Sequence, residues 1–180
     1  MTEAVPAVTL AELADYTSRD GRVIRAGCYG VSHGSGPAGE LIRHATASWA
    51  GHAFLYAGNG RIIEGCPDVA RIAAADAYPD AIWNHREQIT DERRLAIVAR
   101  AYALVGTPYD WTAFVGFALK VMKLRSEQHL DTVFDHDRHR VCSALVDDAY
   151  GFAGIDLEPD ASISNLVSPG DLLERIIRQA

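Results

Sequence analysis

The fold class follows most directly from residues 52–64, which read HAFLYAGNGRIIE. The two apolar halves of this stretch, 52–57 and 61–64, flank Gly58-Asn59-Gly60. A Gly/Asn turn between two apolar runs is typical of a β-hairpin. The hairpin therefore predicts an antiparallel sheet in the middle of the chain. Further strands of that sheet are predicted over 23–32, 69–73 and 81–85.

Helical patterns lie on both sides of these strands in the sequence. The strongest covers 90–105, where Thr90 is a typical N-cap, Asp91 and Glu92 lie in the first turn, and Gly106 ends the helix. The other predicted helices cover 9–18, 37–48, 111–124, 141–152 and 169–178, the last capped by Ser168. This arrangement predicts an α+β domain whose central antiparallel sheet is flanked by helices.

Length and composition restrict the possible classes of function. A chain of 180 residues suits a single domain over 1–180, with 1–22 as an N-terminal helical extension. The net charge of −7 argues against a general nucleic-acid-binding protein, because no basic surplus exists to neutralise phosphates. The cysteines Cys28, Cys66 and Cys142 lack a close pair, which fits reduced thiols. With neither a signal peptide nor a stretch of roughly 18 apolar residues in the sequence, we expect a cytoplasmic protein.

Cys142 is the first candidate for chemistry. It lies in the first turn of the predicted helix 141–152, where unpaired amides and the positive end of the helix dipole stabilise a thiolate. Cys142 also shares a helical face with Leu145, Val146 and Ala149, so we expect its side chain to point inward. Taken alone, this position fits a buried structural cysteine better than a nucleophile.

A thiolate nucleophile needs a base, and the base needs an orienting partner. His52 begins the hairpin and Glu64 lies on its return strand. If the turn has three residues, Phe54 lies opposite Glu64, and His52 and Glu64 share a face at diagonal positions. If the turn is only Asn59-Gly60, the two side chains fall on opposite faces. Each residue alone is explained more simply, as a strand-end histidine with a structural hydrogen bond and as a solvated glutamate.

Four segments together resemble the NlpC-type cysteine peptidases. They are WAGHAFLY over 49–56 with GRIIE over 60–64, GTPYDW over 106–111, CSALV over 142–146 and VSPGDLL over 167–173. The histidine segment precedes the cysteine segment, which is the order of the circularly permuted branch of that family. This branch includes YiiX-like bacterial hydrolases and, more remotely, lecithin:retinol acyltransferase. The resemblance covers residues 23–176.

The resemblance implies a papain-like fold in which Cys142 is the nucleophile, His52 the general base and Glu64 the orienting third residue. It also implies that Tyr109 lies near the oxyanion hole, although a half-buried aromatic after a helix end explains this residue equally well. The implied reaction is hydrolysis or acyl transfer at an amide, ester or thioester bond, through a thioacyl-enzyme and without a cofactor. The implied substrate is a small peptide, an amide or a lipid, and 111–139 is an insertion that shapes the substrate site.

Two segments carry alternative interpretations. The segment 111–124 is apolar almost all round, which fits a buried helix, an acyl-chain groove, a membrane-touching helix or a dimer contact, with membrane contact not expected. His136, His139 and Cys142 are three residues apart, so one helical face would present all three to zinc. A further alternative is a non-catalytic binding module on the same fold.

Overall fold

The computed structural model describes residue 9 and residues 13–66, 69–107, 142–157 and 167–179. Within these ranges the chain forms seven β-strands and four α-helices. The strands are β1 (Tyr16–Thr17), β2 (Val23–Ile24), β3 (Tyr29–Ser32), β4 (His52–Gly58), β5 (Arg61–Gly65), β6 (Ala70–Ala74) and β7 (Ile82–Trp83). The helices are α1 (Gly36–Thr46), α2 (Asp91–Leu104), α3 (Cys142–Phe152) and α4 (Pro169–Arg178), and a 3₁₀ turn covers Ala75–Ala77.

Five strands form one antiparallel sheet in the order β6-β5-β4-β3-β7, and β1 pairs with β2 in a separate two-stranded ribbon. The α+β class with an antiparallel sheet is therefore confirmed. Thr90 caps α2, and Ser168 forms a capping box with Asp171 at the start of α4, as the sequence predicted. Among the described helices, none has the length and apolar character needed to cross a membrane.

The helix predicted over 9–18, within the helical extension over 1–22, is wrong where the structure describes it. Residues Tyr16–Thr17 form strand β1 instead. Asn59 in the hairpin turn accepts a hydrogen bond from the backbone N–H of Ala14 at 2.9 Å and donates its own backbone N–H to the Ala14 carbonyl at 3.0 Å. The backbone at Ala14 is thus paired with the hairpin, which takes the place of helical hydrogen bonding.

The single strand predicted over 23–32 is interrupted. Gly27 has a φ of 86°, a left-handed conformation that glycine adopts without strain. Its backbone N–H donates to the Tyr56 carbonyl at 2.8 Å, so the interruption still contacts β4. The consequence is that β2 and β3 belong to two different sheets.

The β4–β5 hairpin has a shorter turn than a three-residue loop. Gly58 pairs with Arg61, so only Asn59-Gly60 lies between the strands. Asn59 and Gly60 both have positive φ, 55° and 68°, as this tight turn requires. The strand register shifts immediately before Gly58, which leaves Ala57 as the extra residue of a β-bulge.

The bulge restores the arrangement that the longer turn would have produced. Beyond it, Phe54 pairs with Glu64, and His52 lies two residues earlier on the same side of β4. A two-residue turn without the bulge would have placed the His52 and Glu64 side chains on opposite faces of the sheet. The bulge at Ala57 is therefore what brings both candidate residues onto one face.

The two faces of the sheet contact different cores. Ala53 and Leu55 of β4 pack in the larger core, which includes buried residues of α2, α3 and α4. Phe54 and Tyr56, on the opposite face, pack with Trp83 in a smaller aromatic cluster. Helix α3 is joined to α2 by packing and by Arg100, which donates twice to the Asp148 carboxylate. These contacts fix the position of α3, and therefore of its first residue, relative to the sheet.

Candidate active site

Side chains from three separate elements meet beside the start of β4. His52 is the first residue of β4, Glu64 lies on the paired strand β5, and Cys142 is the first residue of α3. The Nε2 atom of His52 lies 2.7 Å from Oε2 of Glu64, and the Cys142 side chain lies close enough to the same imidazole to raise its pKa by hydrogen bonding and by charge. The structure thus brings together the three residues that the sequence proposed as nucleophile, base and orienting partner.

The hydrogen bonds define which ring nitrogen of His52 faces which partner. An ionised carboxylate can only accept, so the Nε2 atom that contacts Glu64 carries a proton. The Nδ1 atom is the nitrogen that remains for the Cys142 thiol. The imidazole is 14% exposed, which leaves it shielded from water but open on one side. His52 is therefore oriented to exchange a proton with the sulfur.

Cys142 combines burial with a helix N-terminus. The residue is 6% exposed and begins α3, whose first-turn N–H groups have no helical partner. The other buried residues of this helix, among them Leu145 and Val146, pack into the larger core and anchor it. The sulfur is thus held beside His52 at the positive end of the helix dipole.

The site holds two opposite charges with little contact to water. Burial alone would lower the pKa of His52, but hydrogen bonds to Cys142 and Glu64 raise that pKa from 6.5 to about 9. Burial alone would raise the pKa of Glu64, but hydrogen bonds from His52 and Tyr78 lower it from 4.5 to about 2. At neutral pH the site therefore contains an imidazolium beside a carboxylate.

Glu64 has two further partners that the sequence analysis missed. Arg71 donates from Nε to Oε1 of Glu64 at 2.9 Å, and Tyr78 donates its hydroxyl to Oε2 at 2.5 Å. Glu64 is completely buried, so these bonds replace the water that its carboxylate has lost. Arg71 lies directly opposite Glu64 in the antiparallel pair of β5 and β6. The alternation of side chains along a strand could have indicated this contact from the sequence. Tyr78 follows the 3₁₀ turn, and no local pattern points to it.

Two aromatic side chains, Phe54 and Tyr78, lie beside the imidazole of His52 on the same face of the sheet. The Tyr78 ring is stacked on Phe54, with centroids 4.7 Å apart and an interplanar angle of 16°. The same Tyr78 ring lies 5.2 Å from the His52 ring, and Phe54 lies 5.7 Å from it. Tyr78 also lines a cavity of about 230 Å³ together with Tyr16 and Trp83. These contacts restrict the rotation of both His52 and Tyr78.

The other two cysteines differ from Cys142 in their surroundings. Burial and the negative charge of Glu64 raise the pKa of the Cys66 thiol to about 11, so Cys66 stays protonated at neutral pH. Cys28 lies immediately before β3, is 1% exposed and packs in the smaller aromatic cluster. Arg94 Nη1 lies 3.4 Å from its sulfur. Neither thiol has a histidine among its described hydrogen-bond partners.

Several predicted residues lie outside the described ranges. They are Tyr109, the segment 111–124, the insertion 111–139, and the proposed zinc ligands His136 and His139. Their roles in the oxyanion hole, the substrate site or a zinc site remain predictions. Within the ranges that are described, no group of three or more His, Cys, Asp or Glu side chains is arranged to hold a metal ion.

Comparison with known proteins adds no family assignment. No protein-family model matches the chain, and no curated protein matches it significantly. The functional interpretation therefore rests on the site geometry and on the resemblance carried by the four sequence segments.

Proposed function

We propose that the protein is a cysteine hydrolase or acyl transferase that acts at an amide, ester or thioester carbonyl. The observation that carries this proposal is the line of interacting side chains from Cys142, which raises the pKa of His52, through His52 to Glu64, whose carboxylate lies 2.7 Å from Nε2. Thiol-based nucleophilic catalysis requires a thiol that ionises easily, a base in contact with it and a partner that orients the base. Each of these parts corresponds to one residue of the line.

In the first half of the reaction, the Cys142 thiolate attacks the carbonyl carbon of the substrate. A C–S bond forms while the π electrons of the carbonyl move to oxygen. The backbone N–H of Cys142 stabilises this oxyanion, with Tyr109 as the second proposed donor. The intermediate then breaks its bond to the leaving group, which takes the proton of the His52 imidazolium. The products are a thioacyl-enzyme and a neutral His52.

In the second half, neutral His52 removes a proton from water or from an acceptor alcohol or amine. The oxygen or nitrogen of that molecule attacks the thioester carbon, and the second intermediate expels the Cys142 thiolate. The acyl group leaves as an acid, an ester or an amide. Glu64 holds Nε2 of His52 throughout, so that Nδ1 stays directed at the reacting atoms. These steps need no cofactor.

The family proposed for this enzyme is the circularly permuted branch of the NlpC-type peptidases, with a papain-like fold. Support comes from the four sequence segments and from their order, with the His52 hairpin before the Cys142 helix. An antiparallel sheet with a nucleophile helix packed against it suits the same family. The unusual length of chain between Tyr109 and Cys142 suits the proposed insertion over 111–139.

The proposed substrate is a small peptide, an amide or a lipid. Within this range the apolar segment 111–124 favours a substrate with an acyl chain. The net charge of −7 does not suit nucleic acid as a partner. The proposed location is the cytoplasm, because free thiols at Cys28, Cys66 and Cys142 suit a reducing compartment.

Competitive alkylation tests the nucleophile. We expect iodoacetamide at mildly acidic pH to modify Cys142 well before Cys66, because only the thiolate is alkylated and Cys66 has a pKa of about 11. An aryl acetate ester should likewise leave an acetyl group on Cys142. Peptide mass spectrometry measures both modifications at each of the three cysteines.

Two variants control the alkylation experiment. Cys142→Ala should abolish the rapid modification and the acetyl adduct, whereas Cys66→Ala should preserve both. Equal modification of the three cysteines, or a preference for Cys66, would contradict the assignment of Cys142 as nucleophile. The proposal of a thiol enzyme would then be wrong.

A further inference from the structure

Tyr78 and His52 share one oxygen atom of Glu64. The Tyr78 hydroxyl lies 2.5 Å from Oε2, and Nε2 of His52 lies 2.7 Å from the same atom. Arg71 occupies the other oxygen, Oε1, at 2.9 Å. The hydroxyl therefore competes with the imidazole for the same oxygen atom, while the guanidinium bonds to the other oxygen.

The position of the Tyr78 hydroxyl is set by packing of its ring. The ring is stacked on Phe54 and also contacts His52. The 3₁₀ turn that precedes Tyr78 is tied to the hairpin, since the backbone N–H of Ala75 donates to the Gly60 carbonyl at 2.8 Å. A phenylalanine at position 78 would keep the ring contacts and lose only the hydroxyl.

The charged and titratable groups that act on His52 come from few elements. Among the described residues, Glu64 of β5 bonds to its ring, Cys142 of α3 raises its pKa, and Tyr78 contacts it. Arg71 of β6 and Cys66 after β5 act through Glu64. The O–H dipole of Tyr78 presents its positive end to Oε2, so it lowers the negative charge that the imidazolium feels.

We propose that Tyr78 is a positioning residue that weakens the attraction between Glu64 and His52, so that the imidazolium can release its proton to the leaving group. This inference rests on the proposed thiol-enzyme function. A general acid held too tightly by its carboxylate partner gives up its proton slowly. Tyr78 thus keeps Glu64 directed at His52 while it limits how strongly Glu64 holds the imidazolium.

The test is a titration of the His52 ring by NMR in a Cys142→Ala background, where coupling to the thiol is absent. The chain has seven histidines, so the His52 signal is assigned by its loss in a His52→Ala variant. We expect Tyr78→Phe to raise the pKa of His52 by about one pH unit, the scale of a strong hydrogen bond to a neighbouring charge. Glu64→Gln should move the same pKa downward.

Tyr56→Phe is the matched control, because Tyr56 lies on the same face of β4 and its hydroxyl donates to the Ala14 carbonyl instead of to Glu64. It should leave the His52 titration unchanged. The inference would be overturned if the pKa of His52 in Tyr78→Phe equalled that in the Cys142→Ala background, or if it fell as in Glu64→Gln. The titration does not depend on enzymatic activity. Failure of Cys142 to react with the acyl probe would therefore count against the proposed function, whereas an unchanged His52 titration in Tyr78→Phe would count against the effect of Tyr78 on His52.

Discussion

At the residue scale, the charge of the candidate site depends on Glu64. Its carboxylate is completely buried, and such a group remains ionised only when donors replace the lost water. His52, Tyr78 and Arg71 are these donors. The negative charge of Glu64 in turn helps to keep His52 protonated.

Glu64→Gln removes this charge and keeps the shape of the side chain. We expect the pKa of His52 to fall from about 9 towards 6.5, because the imidazolium loses a stabilising carboxylate. Fewer thiolate–imidazolium pairs then exist at neutral pH, and alkylation of Cys142 should slow by about tenfold, the effect of one pKa unit. The loss should be smaller than in His52→Ala, which removes the base itself. Alkylation rates as a function of pH measure the effect.

The control for this prediction is Glu92→Gln, since Glu92 is an exposed carboxylate in the first turn of α2. It should leave the alkylation profile unchanged. If the Glu64→Gln profile also coincided with that of the wild type, Glu64 would have no influence on the thiol. Cys142 and His52 would then form a dyad without Glu64.

At the element scale, the position of the start of β4 depends on how closely the backbone carbonyls of His33 and Gly39 pack against Gly51. The Gly51 N–H donates to the Ser32 carbonyl at 2.9 Å, which aligns β4 with β3 just before His52. A Cβ atom at this position would clash with the His33 carbonyl oxygen and would lie 2.7 Å from the carbonyl oxygen of Gly39. Both obstacles are backbone atoms, which cannot move without shifting β3 or α1.

Gly51→Ala should therefore displace the start of β4 and the His52 ring with it. We expect a loss of about 1–3 kcal/mol in the free energy of unfolding, the usual cost of overpacking a tight site. Cys142 alkylation at neutral pH should slow as well. Urea denaturation and alkylation rates measure the two effects.

Gly151→Ala provides the comparison, because no atom within 4 Å obstructs a Cβ at Gly151 in helix α3. This change should be neutral or stabilising by about 0.5–1 kcal/mol, the helix preference for alanine over glycine. If Gly51→Ala were as stable and reactive as Gly151→Ala, the close approach at Gly51 would have no role in positioning His52.

At the scale of the whole molecule, the candidate site is built from elements that pack on both faces of the sheet. Glu64 and His52 lie on the face that carries the aromatic cluster, whereas α3 packs into the larger core of the other face. The first residue of α3 nevertheless reaches His52. The site residues are thus held by the packing of both cores. The free energy of unfolding should therefore depend on the ionisation of His52 and Glu64.

We expect the His52–Glu64 pair to stabilise the folded state most between pH 4.5 and 6.5. The folded pKa of Glu64 is lowered to about 2, so its contribution is complete above 4.5 and is lost as pH falls towards 2. The folded pKa of His52 is raised to about 9, so its contribution is complete below 6.5 and is lost as pH rises through 9. Urea unfolding across this pH range measures the stability.

The comparison protein for this prediction is a His52→Gln, Glu64→Gln double variant, which lacks both charges. The stability difference between the wild type and the double variant should be largest within the stated window and should shrink on either side of it. A difference that stayed constant from acid to alkaline pH would show that the pair does not titrate as proposed.

Much of the fold was predictable from the sequence because its signals act over a few residues. Thr90 and Ser168 accept hydrogen bonds from N–H groups three residues later, so their capping roles can be recognised without the rest of the chain. The hairpin turn at Asn59-Gly60 depends on residues that tolerate positive φ. Cys142 and His52 could be proposed as site residues only from the four segments that resemble NlpC-type peptidases, because the position of each residue taken alone fits a structural role better.

The remaining features depend on contacts between distant parts of the chain. Strand β1 replaced a predicted helix because Ala14 bonds to Asn59, and the bulge at Ala57 settled which face Glu64 occupies. Tyr78 reaches Glu64 only because the segment after β6 folds back over Phe54. Local patterns limit what each segment can form, but they carry no information on which distant group satisfies a buried carboxylate. That choice is made when the strands pair and water is excluded.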